Sequence, residues 1–257
     1  MRALLRLLLL LIVLLPALGQ ATAGRAVHRF YGYAFDQSSG RYLYTEVHRH
    51  VFQDDRWVNG TIRYYGADGL LIGQKTLDFS QDPFVPLFRL SLPLEGYEEG
   101  ISAVAPEGIE IETLKRGQRE RLRLDRVPEM VADSGFHSFV VQHLDALRLG
   151  QTVTLDFIAV GRMQVFRFRL DKVAETVVDG HPALQIRAEP DSLLRLLAPR
   201  LLLKYDLQTH YLLEYRGISN LHDPVTGKGL MVRLVYPAHP PAGAPATLPP
   251  LDTNDLP

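Results

Sequence analysis

The sequence predicts a mainly β protein: a curved antiparallel sheet, either a half-barrel or an open barrel meander, with two short helices. Most of residues 26–236 alternates apolar and polar side chains with a period of two, which is the pattern of half-buried strands. Clusters of turn residues, such as Asp36-Gln37-Ser38-Ser39-Gly40 and Ala67-Asp68-Gly69, separate the runs. Because these connections are too short for parallel crossovers, neighbouring runs are expected to pair as a meander.

The first part of the predicted sheet is a meander over residues 30–79. Its runs cover residues 30–35, 42–52, 57–65 and 70–79. Asn59-Gly60 lies inside the third run and indicates either a hairpin turn or a bulge. Residues 80–100 are less regular. Prolines at 83, 86 and 93 remove backbone donors there, so we expect a loop or an edge.

A second hairpin is predicted at residues 109–114 and 119–125, around Lys115-Arg116-Gly117-Gln118. Alternation places Arg119, Arg121 and Arg123 on one face of its second arm. If Arg167 and Arg169 extend this face, the resulting basic stripe could contact anionic lipid headgroups or an acidic partner. The simpler interpretation is a solvated face that prevents aggregation through the sheet edge.

Two helices and six further strands are predicted in the second part of the chain. Ser138 can cap a helix over residues 138–147, and Gly150 lies just beyond its end. Residues 190–197 predict a short capped helix that ends before Pro199. The strands are expected at residues 152–159, 163–173, 183–188, 201–207, 211–218 and 230–236.

The N-terminus has the pattern of a secretory signal peptide. Arg2 and Arg6 precede a nearly unbroken aliphatic run, and Ala21-Thr22-Ala23 supplies small residues for a cut after residue 23. The apolar run is too short to span a bilayer comfortably. We therefore expect a secreted, periplasmic protein with at most peripheral membrane contact.

Composition narrows the class of function. Removal of residues 1–23 lowers Lys+Arg from 28 to 26 against 29 acidic residues, a net charge of −3. Proteins that bind nucleic acids usually carry a basic excess, so nucleic acid is not an expected partner. The chain has no cysteine. It therefore forms no disulfide, and its stability must come from a hydrophobic core.

The predicted organisation is a signal peptide at 1–23, a single β-rich domain at 24–236 and a disordered tail at 237–257. The tail contains seven prolines and few large apolar side chains. Such a segment buries too little surface to offset the entropy of ordering, so disorder is expected.

The order of these elements resembles the bacterial periplasmic lipoprotein carriers LolA and LolB, and the uncharacterised secreted β proteins similar to them. The resemblance rests on the meander over residues 42–79, which contains Tyr64-Tyr65-Gly66-Ala67-Asp68-Gly69, and on the hairpin over residues 204–215. It implies a half-barrel that holds an acyl chain. The chain lacks the lipid-attachment cysteine of the outer-membrane receptor, and the resemblance transfers no site residue.

A curved sheet covered by short helices predicts a concave apolar interior. We expect the leucine-dense segment after Pro190 to cover it as a lid, although the same leucines could simply fill a core. The predicted ligand-binding residues are Leu193, Leu194, Leu196, Leu197, Phe166, Phe168 and Tyr205.

Histidine clusters provide two weaker hypotheses. His48 and His50 share one strand face about 7 Å apart and could hold a metal together with His28 or Asp36, but no spacing identifies a third ligand. His137 or His143 could act as the base of a hydrolase, but the sequence around Ser138 does not match a nucleophile elbow. Glu98-Glu99 is interpreted as a pair of turn acids. No catalytic residue, metal or cofactor is therefore assigned.

The favoured hypothesis is a non-enzymatic periplasmic protein that binds an apolar or lipid-like ligand. The alternatives are an envelope interaction module without a cavity, and a hydrolase. A large apolar pocket would favour the first, an exposed apolar patch over a filled core the second, and a serine or paired acids beside a histidine the third.

Overall fold

The fold is organised around one continuous β-sheet. The computed structural model describes residues 24–192, 200–223 and 226–251, and within them fifteen strands join this sheet. The strands are β1 (Arg25–Asp36), β2 (Tyr42–Gln53), β3 (Arg56–Gly66), β4 (Leu71–Asp78), β5 (Leu87–Leu92), β6 (Tyr97–Ala105), β7 (Gly108–Lys115), β8 (Gln118–Asp125), β9 (Met130–Ala132), β10 (Val153–Ala159), β11 (Gln164–Val178), β12 (His181–Pro190), β13 (Leu201–Asp206), β14 (Leu212–His222) and β15 (Gly229–Val235).

The strand order shows that the chain begins in the middle of the sheet. Strands β1 to β8 follow one another towards one edge, and β9 to β15 run from the opposite edge back to the centre, where β15 pairs with β1. Neighbouring strands are antiparallel, apart from the parallel pair β9–β10. Each half is thus a meander, as the short connections predict.

The connection between the two edges requires the sheet to curl. In a flat sheet with about 4.8 Å between strands, β8 and β9 would lie roughly 65 Å apart. Four residues join Asp125 to Met130, and five residue steps span at most about 18 Å. The edges therefore approach each other, and the predicted curved, mainly β fold is confirmed.

Short contacts outside the strand ladder join the two halves. The backbone N–H of Ala132 donates to the carbonyl of Phe84 (2.9 Å). The Nζ of Lys115 donates to the carbonyl of Gly161, in the 3₁₀ turn that follows β10 (2.6 Å). These contacts link opposite halves of the curled sheet.

The two helices, α1 (Gly135–Gln142) and α2 (Leu144–Arg148), pack on the concave face. The side chains of Phe139, Val140, Leu144 and Leu147 are buried in one cluster with inward residues of β10 to β13. Among the described residues, no helix is long and apolar enough to cross a membrane.

The helix predicted at 138–147 differs in its bounds and its cap. Ser138 lies inside α1 and caps nothing, because the helix begins three residues earlier, after Ser134. There Asp133 Oδ1 accepts hydrogen bonds from the backbone N–H and the hydroxyl of Ser134. The regular helix is interrupted at His143, which has φ −104° and ψ 9°.

The loop or edge expected over residues 80–100 is also corrected. Strand β5 lies inside the sheet, with β4 and β6 on either side. Its six residues fit between Pro86 and Pro93, so no proline interrupts the ladder. Asn59 and Gly60 lie within β3, where the register skips Val58, so the bulge interpretation is the correct one.

The basic stripe is not continuous across the sheet. Strands β8 and β11 are not neighbours, and the arginines on them form ion pairs with acids. Arg119 pairs with Glu98 and Glu112, and Arg167 pairs with Asp156.

The tail expected to be disordered makes contacts in its described part, residues 237–251. Ala244 and Leu248 pack against a cluster that includes Tyr33 and Phe35 of β1. The hydroxyl of Tyr31 donates to the carbonyl of Pro249 (2.5 Å). The composition of the tail gave no sign of these contacts, because the aromatic surface that receives it comes from strands distant in sequence.

Candidate functional site

A large open cavity lies on the concave face of the sheet, between its strands and α1. Its volume is about 2830 Å³, whereas small-molecule pockets usually measure about 300–1,000 Å³. Among the described residues, the lining combines aromatic side chains with charged residues and histidines. The aromatic ones are Phe30, Tyr31, Tyr44, Phe52, Trp57, Tyr64, Phe84, Phe88, Tyr97, Phe136, Phe157, Phe166, Phe168, Tyr205, Tyr211, Tyr215 and Tyr236.

One wall of the cavity consists of stacked histidine and aromatic rings from β1, β2 and β3. Phe30 pairs with His48 across the β1–β2 ladder, and their rings stack with centroids 4.5 Å apart. The ring of His50 stacks on Trp57 at 4.0 Å, and Trp57 contacts Phe79 at 4.2 Å. Period-two alternation brings these rings to one face, where the two stacks meet edge to face, with the rings of His48 and His50 inclined at 74°.

The imidazoles of His50 and His137 resist protonation. Burial lowers the pKa of His50 well below its usual value, and the neighbouring His48, His137 and His28 lower it further. Burial alone lowers the pKa of His137 to about 4. Both rings are therefore neutral at pH 7 and contribute a weakly polar surface.

Buried polar groups interrupt the aromatic lining on β2. The Nε2 of His48 lies 2.7 Å from Glu46 Oε2, and the hydroxyl of Tyr236 donates to the same oxygen at 3.4 Å. The hydroxyls of Tyr44 and Ser219 lie 2.7 Å apart. Each of these groups has a partner, which limits the cost of burying it.

An ion pair fixes the start of α1 to the opposite half of the sheet. The Nζ of Lys75 on β4 donates to Asp133 Oδ2 at 2.5 Å, and both side chains are almost fully buried. Asp133 has a left-handed φ of +43°, and its other oxygen holds Ser134. The same carboxylate thus orients α1 and neutralises a buried lysine.

A second polar group lies where the 3₁₀ turn after β10 meets β6. The hydroxyl of Tyr97 donates to Glu99 Oε2 at 2.6 Å. Burial raises the pKa of Glu99. A Cβ at Gly161 would lie 2.5 Å from that carboxylate oxygen, so a larger residue there would displace the Glu99 side chain.

The residues predicted to bind ligand fall into two groups. Phe166, Phe168 and Tyr205 line the cavity. Tyr205 is fully buried, and its hydroxyl lies 3.4 Å from Nδ1 of His137. Leu193, Leu194, Leu196 and Leu197, together with the helix predicted there, lie outside the described residues.

Of the proposed metal ligands, His48 and His50 come together, with Nδ1 of His48 lying 3.3 Å from Nε2 of His50. His28 faces His50 in the β1–β2 ladder and packs on Phe52, with ring centroids 4.8 Å apart. Asp36 lies at the far end of β1, where its carboxylate accepts hydrogen bonds from Ser38 and Ser39. In the part of the chain that the structure describes, no group of three or more His, Cys, Asp or Glu side chains could hold a metal ion.

The histidines considered for a hydrolase have other partners. His143 Nδ1 lies 2.8 Å from the carbonyl of Phe139, one turn earlier in the chain. His137 stacks on Tyr205 with centroids 5.6 Å apart. These contacts support packing and local helix geometry.

Several interior residues of the cavity were not predicted from the sequence. Glu99 was interpreted as a turn acid but lies in β6, where it faces inward while Glu98 pairs with Arg89 on the other side. Lys75 is 1% exposed on β4. The alternation of Tyr97 and Glu99 was a usable signal, whereas nothing near Lys75 in the sequence indicates its partner Asp133.

Among the comparisons with known proteins, only the search of solved structures gives a match. No protein-family model matches the chain, and no curated protein matches it. The chain is similar to a crystal structure described as a beta-barrel-like protein of domain of unknown function DUF1849 from Brucella abortus. That match has a TM-score of 0.49 and 10% sequence identity, and covers 83% of this chain and 98% of the other.

Proposed function

We propose that this protein binds an apolar or lipid-like ligand in the cavity and acts in the bacterial periplasm as a carrier, without catalysis. The observation that supports the proposal is the open cavity of about 2830 Å³ with its aromatic lining. The predicted signal peptide supports the location. The resemblance of the sequence pattern to LolA and LolB suggests lipoprotein acyl chains as the ligand.

Energetics favour a ligand with long hydrocarbon chains. Each buried CH₂ group contributes about 0.8 kcal/mol, so twelve of them contribute roughly 10 kcal/mol. This is comparable with the estimated 4–15 kcal/mol that association costs in lost freedom of motion. A cavity of this size can bury more than one such chain, which gives a net gain.

The polar groups of the cavity give the ligand an orientation. Glu46, Glu99 and the Lys75–Asp133 pair all line the cavity. We propose that the polar end of the ligand lies near these groups and that its hydrocarbon part contacts Phe157, Phe166 and Phe168. The predicted leucine segment after Pro190 would be a further contact.

Two measurements test the proposal. The first is native mass spectrometry of protein purified from the periplasm, followed by lipid extraction, and we expect a co-purifying lipid in defined stoichiometry. The second is titration with a hydrophobic fluorescent probe. A protein that purifies empty and takes up no probe would contradict the proposal.

A matched pair of variants on β11 links binding to the cavity. Phe168 lines the cavity, whereas Val177 on the same strand is 67% exposed. We expect Phe168→Glu to weaken probe binding at least tenfold, because it places a charge in the apolar wall, and Val177→Glu to leave binding unchanged. Thermal melting of both variants verifies that they fold. Equal binding by two folded variants would place the ligand elsewhere.

A further inference from the structure

An aromatic strip lies on β1 and its neighbouring strands, on the face turned away from the interior cluster. It consists of Tyr31, Tyr33 and Phe35 of β1, Tyr42 of β2 and Val235 of β15, and we call it the outer strip. Ala34, between two of these residues, belongs to the interior cluster. Strand alternation therefore directs the outer strip away from this cluster, while Tyr31 at its end also lines the cavity.

The described part of the tail, residues 237–251, covers this outer strip. Ala244 and Leu248 pack against its rings, and a Cβ at Gly243 would lie 3.6 Å from Phe35. The Tyr31 hydroxyl donates to the Pro249 carbonyl at 2.5 Å. Tyr33 is only 1% exposed beneath this cover.

The composition of the tail indicates which chemistry the outer strip accepts. Residues 237–251 contain six prolines and no Asp, Glu, Lys or Arg. Flat aromatic rings bind proline-rich segments because these are already extended and lose little entropy on binding. A tyrosine hydroxyl that donates to a backbone carbonyl suits a segment in which proline leaves carbonyls without intramolecular partners.

The tail is held by contacts that a competitor can replace. In its described part it packs through side chains and accepts the bond from Tyr31, and it joins no strand ladder. Displacing it therefore leaves the sheet intact. The same contacts are available to any segment of similar composition.

We propose that the outer strip is a docking site for an extended, uncharged, proline-rich segment of a partner protein, and that the protein's own tail occupies this site until the partner displaces it. Tyr31 of the outer strip and Pro237 and Ala238 at the start of the tail also line the cavity, so the two sites adjoin. The proposal rests on the contacts of the tail and not on the proposed carrier function.

The test uses the full chain and a fluorescent peptide with the sequence of residues 237–251. Ala244→Asp combined with Leu248→Asp should release the tail, because both substitutions place charges against aromatic rings. A tethered tail has an effective concentration of about 1 mM, so it competes with a peptide of about 100 µM affinity by roughly tenfold. We expect the released variant to bind the peptide about tenfold more tightly than the wild type.

Controls separate recognition from charge and from loss of folding. Thr247→Asp adds a charge at an exposed tail position, and should bind the peptide as the wild type does. In the released variant, Tyr31→Phe should weaken binding, whereas Tyr211→Phe, at a tyrosine that is 53% exposed just before β14, should not. A peptide with alanine at every proline should bind poorly.

Two results would overturn the proposal. The first is a released variant that melts like the wild type but binds the peptide no more tightly. The second is a tail-exchanged dimer of the wild type by light scattering, which would assign the outer strip to a second copy of this chain.

Discussion

Substitutions at the buried ion pair between Lys75 and Asp133 should lower the free energy of unfolding by a predictable amount. Its atoms lie 2.5 Å apart, and the side chains are 2% and 6% exposed. Removal of one partner leaves the other charge buried without compensation, which costs about 3–5 kcal/mol. We therefore expect Lys75→Met and Asp133→Asn each to lower the free energy of unfolding by about that amount.

The double variant gives a more informative result than either single one. Lys75→Met combined with Asp133→Asn leaves no uncompensated charge, and asparagine still provides an acceptor for Ser134. Its loss of stability should be smaller than the sum of the single losses by about 2 kcal/mol or more. Urea unfolding followed by circular dichroism measures each value.

An exposed pair on the neighbouring strands provides the matched control. Arg89 and Glu98 form a 2.7 Å ion pair, and the arginine side chain is 62% exposed. Arg89→Met should cost no more than about 1 kcal/mol, because solvent screens this pair. The reasoning would be refuted if the Lys75 and Arg89 variants lost similar stability, or if the Lys75 and Asp133 losses simply added.

Three further predictions concern pH and close packing. The pKa of His137 is lowered to about 4 in the folded protein, so as the pH falls the unfolded chain takes up the proton before the folded one does. The free energy of unfolding should therefore decrease from pH 6.5 towards pH 4. His137→Phe should reduce this decrease, as measured by denaturation at several pH values. Burial raises the pKa of Glu214, but hydrogen bonds from three basic side chains outweigh it and lower the pKa to about 2. Its contribution should be full above about pH 4.5 and lost towards pH 2, and Glu214→Gln should flatten this part of the stability curve. Gly135→Ala should lower the melting temperature, because the Cβ of alanine would lie 2.0 Å from the carbonyl oxygen of Phe84. This clash should outweigh the higher helix propensity of alanine. An unchanged melting temperature would contradict the packing described.

The hairpins were largely predictable because their signals are local. Arg116-Gly117 and Asp179-Gly180 have positive φ at both residues, which suits two-residue turns between antiparallel strands. The prediction of a loop or an edge around β5 was wrong because the prolines lie outside the strand. Only the pairing of β5 with β4 shows where the strand begins and ends. The start of α1 was missed because it depends on Asp133, whose own position depends on Lys75.

The candidate site was predictable only in its general character. Inward alternation indicated a lining rich in Tyr and Phe, and Phe166, Phe168 and Tyr205 do line the cavity. The stacked wall of Phe30, His48 and Trp57 depends on strand register, including the bulge at Val58. Single-sequence periodicity cannot assign such a register, because a shift by one residue reverses which side chains face inward.

The sequence by itself determined the mainly β class, the local hairpins and the turns within them, because a period of two and turn residues act over a few positions. Only the tertiary structure decided that the chain crosses from edge β8 to edge β9 and that β15 returns to pair with β1. Those choices depend on which distant apolar faces are buried together. The cavity, its buried ion pair and the contacts of the tail all follow from that long-range closure.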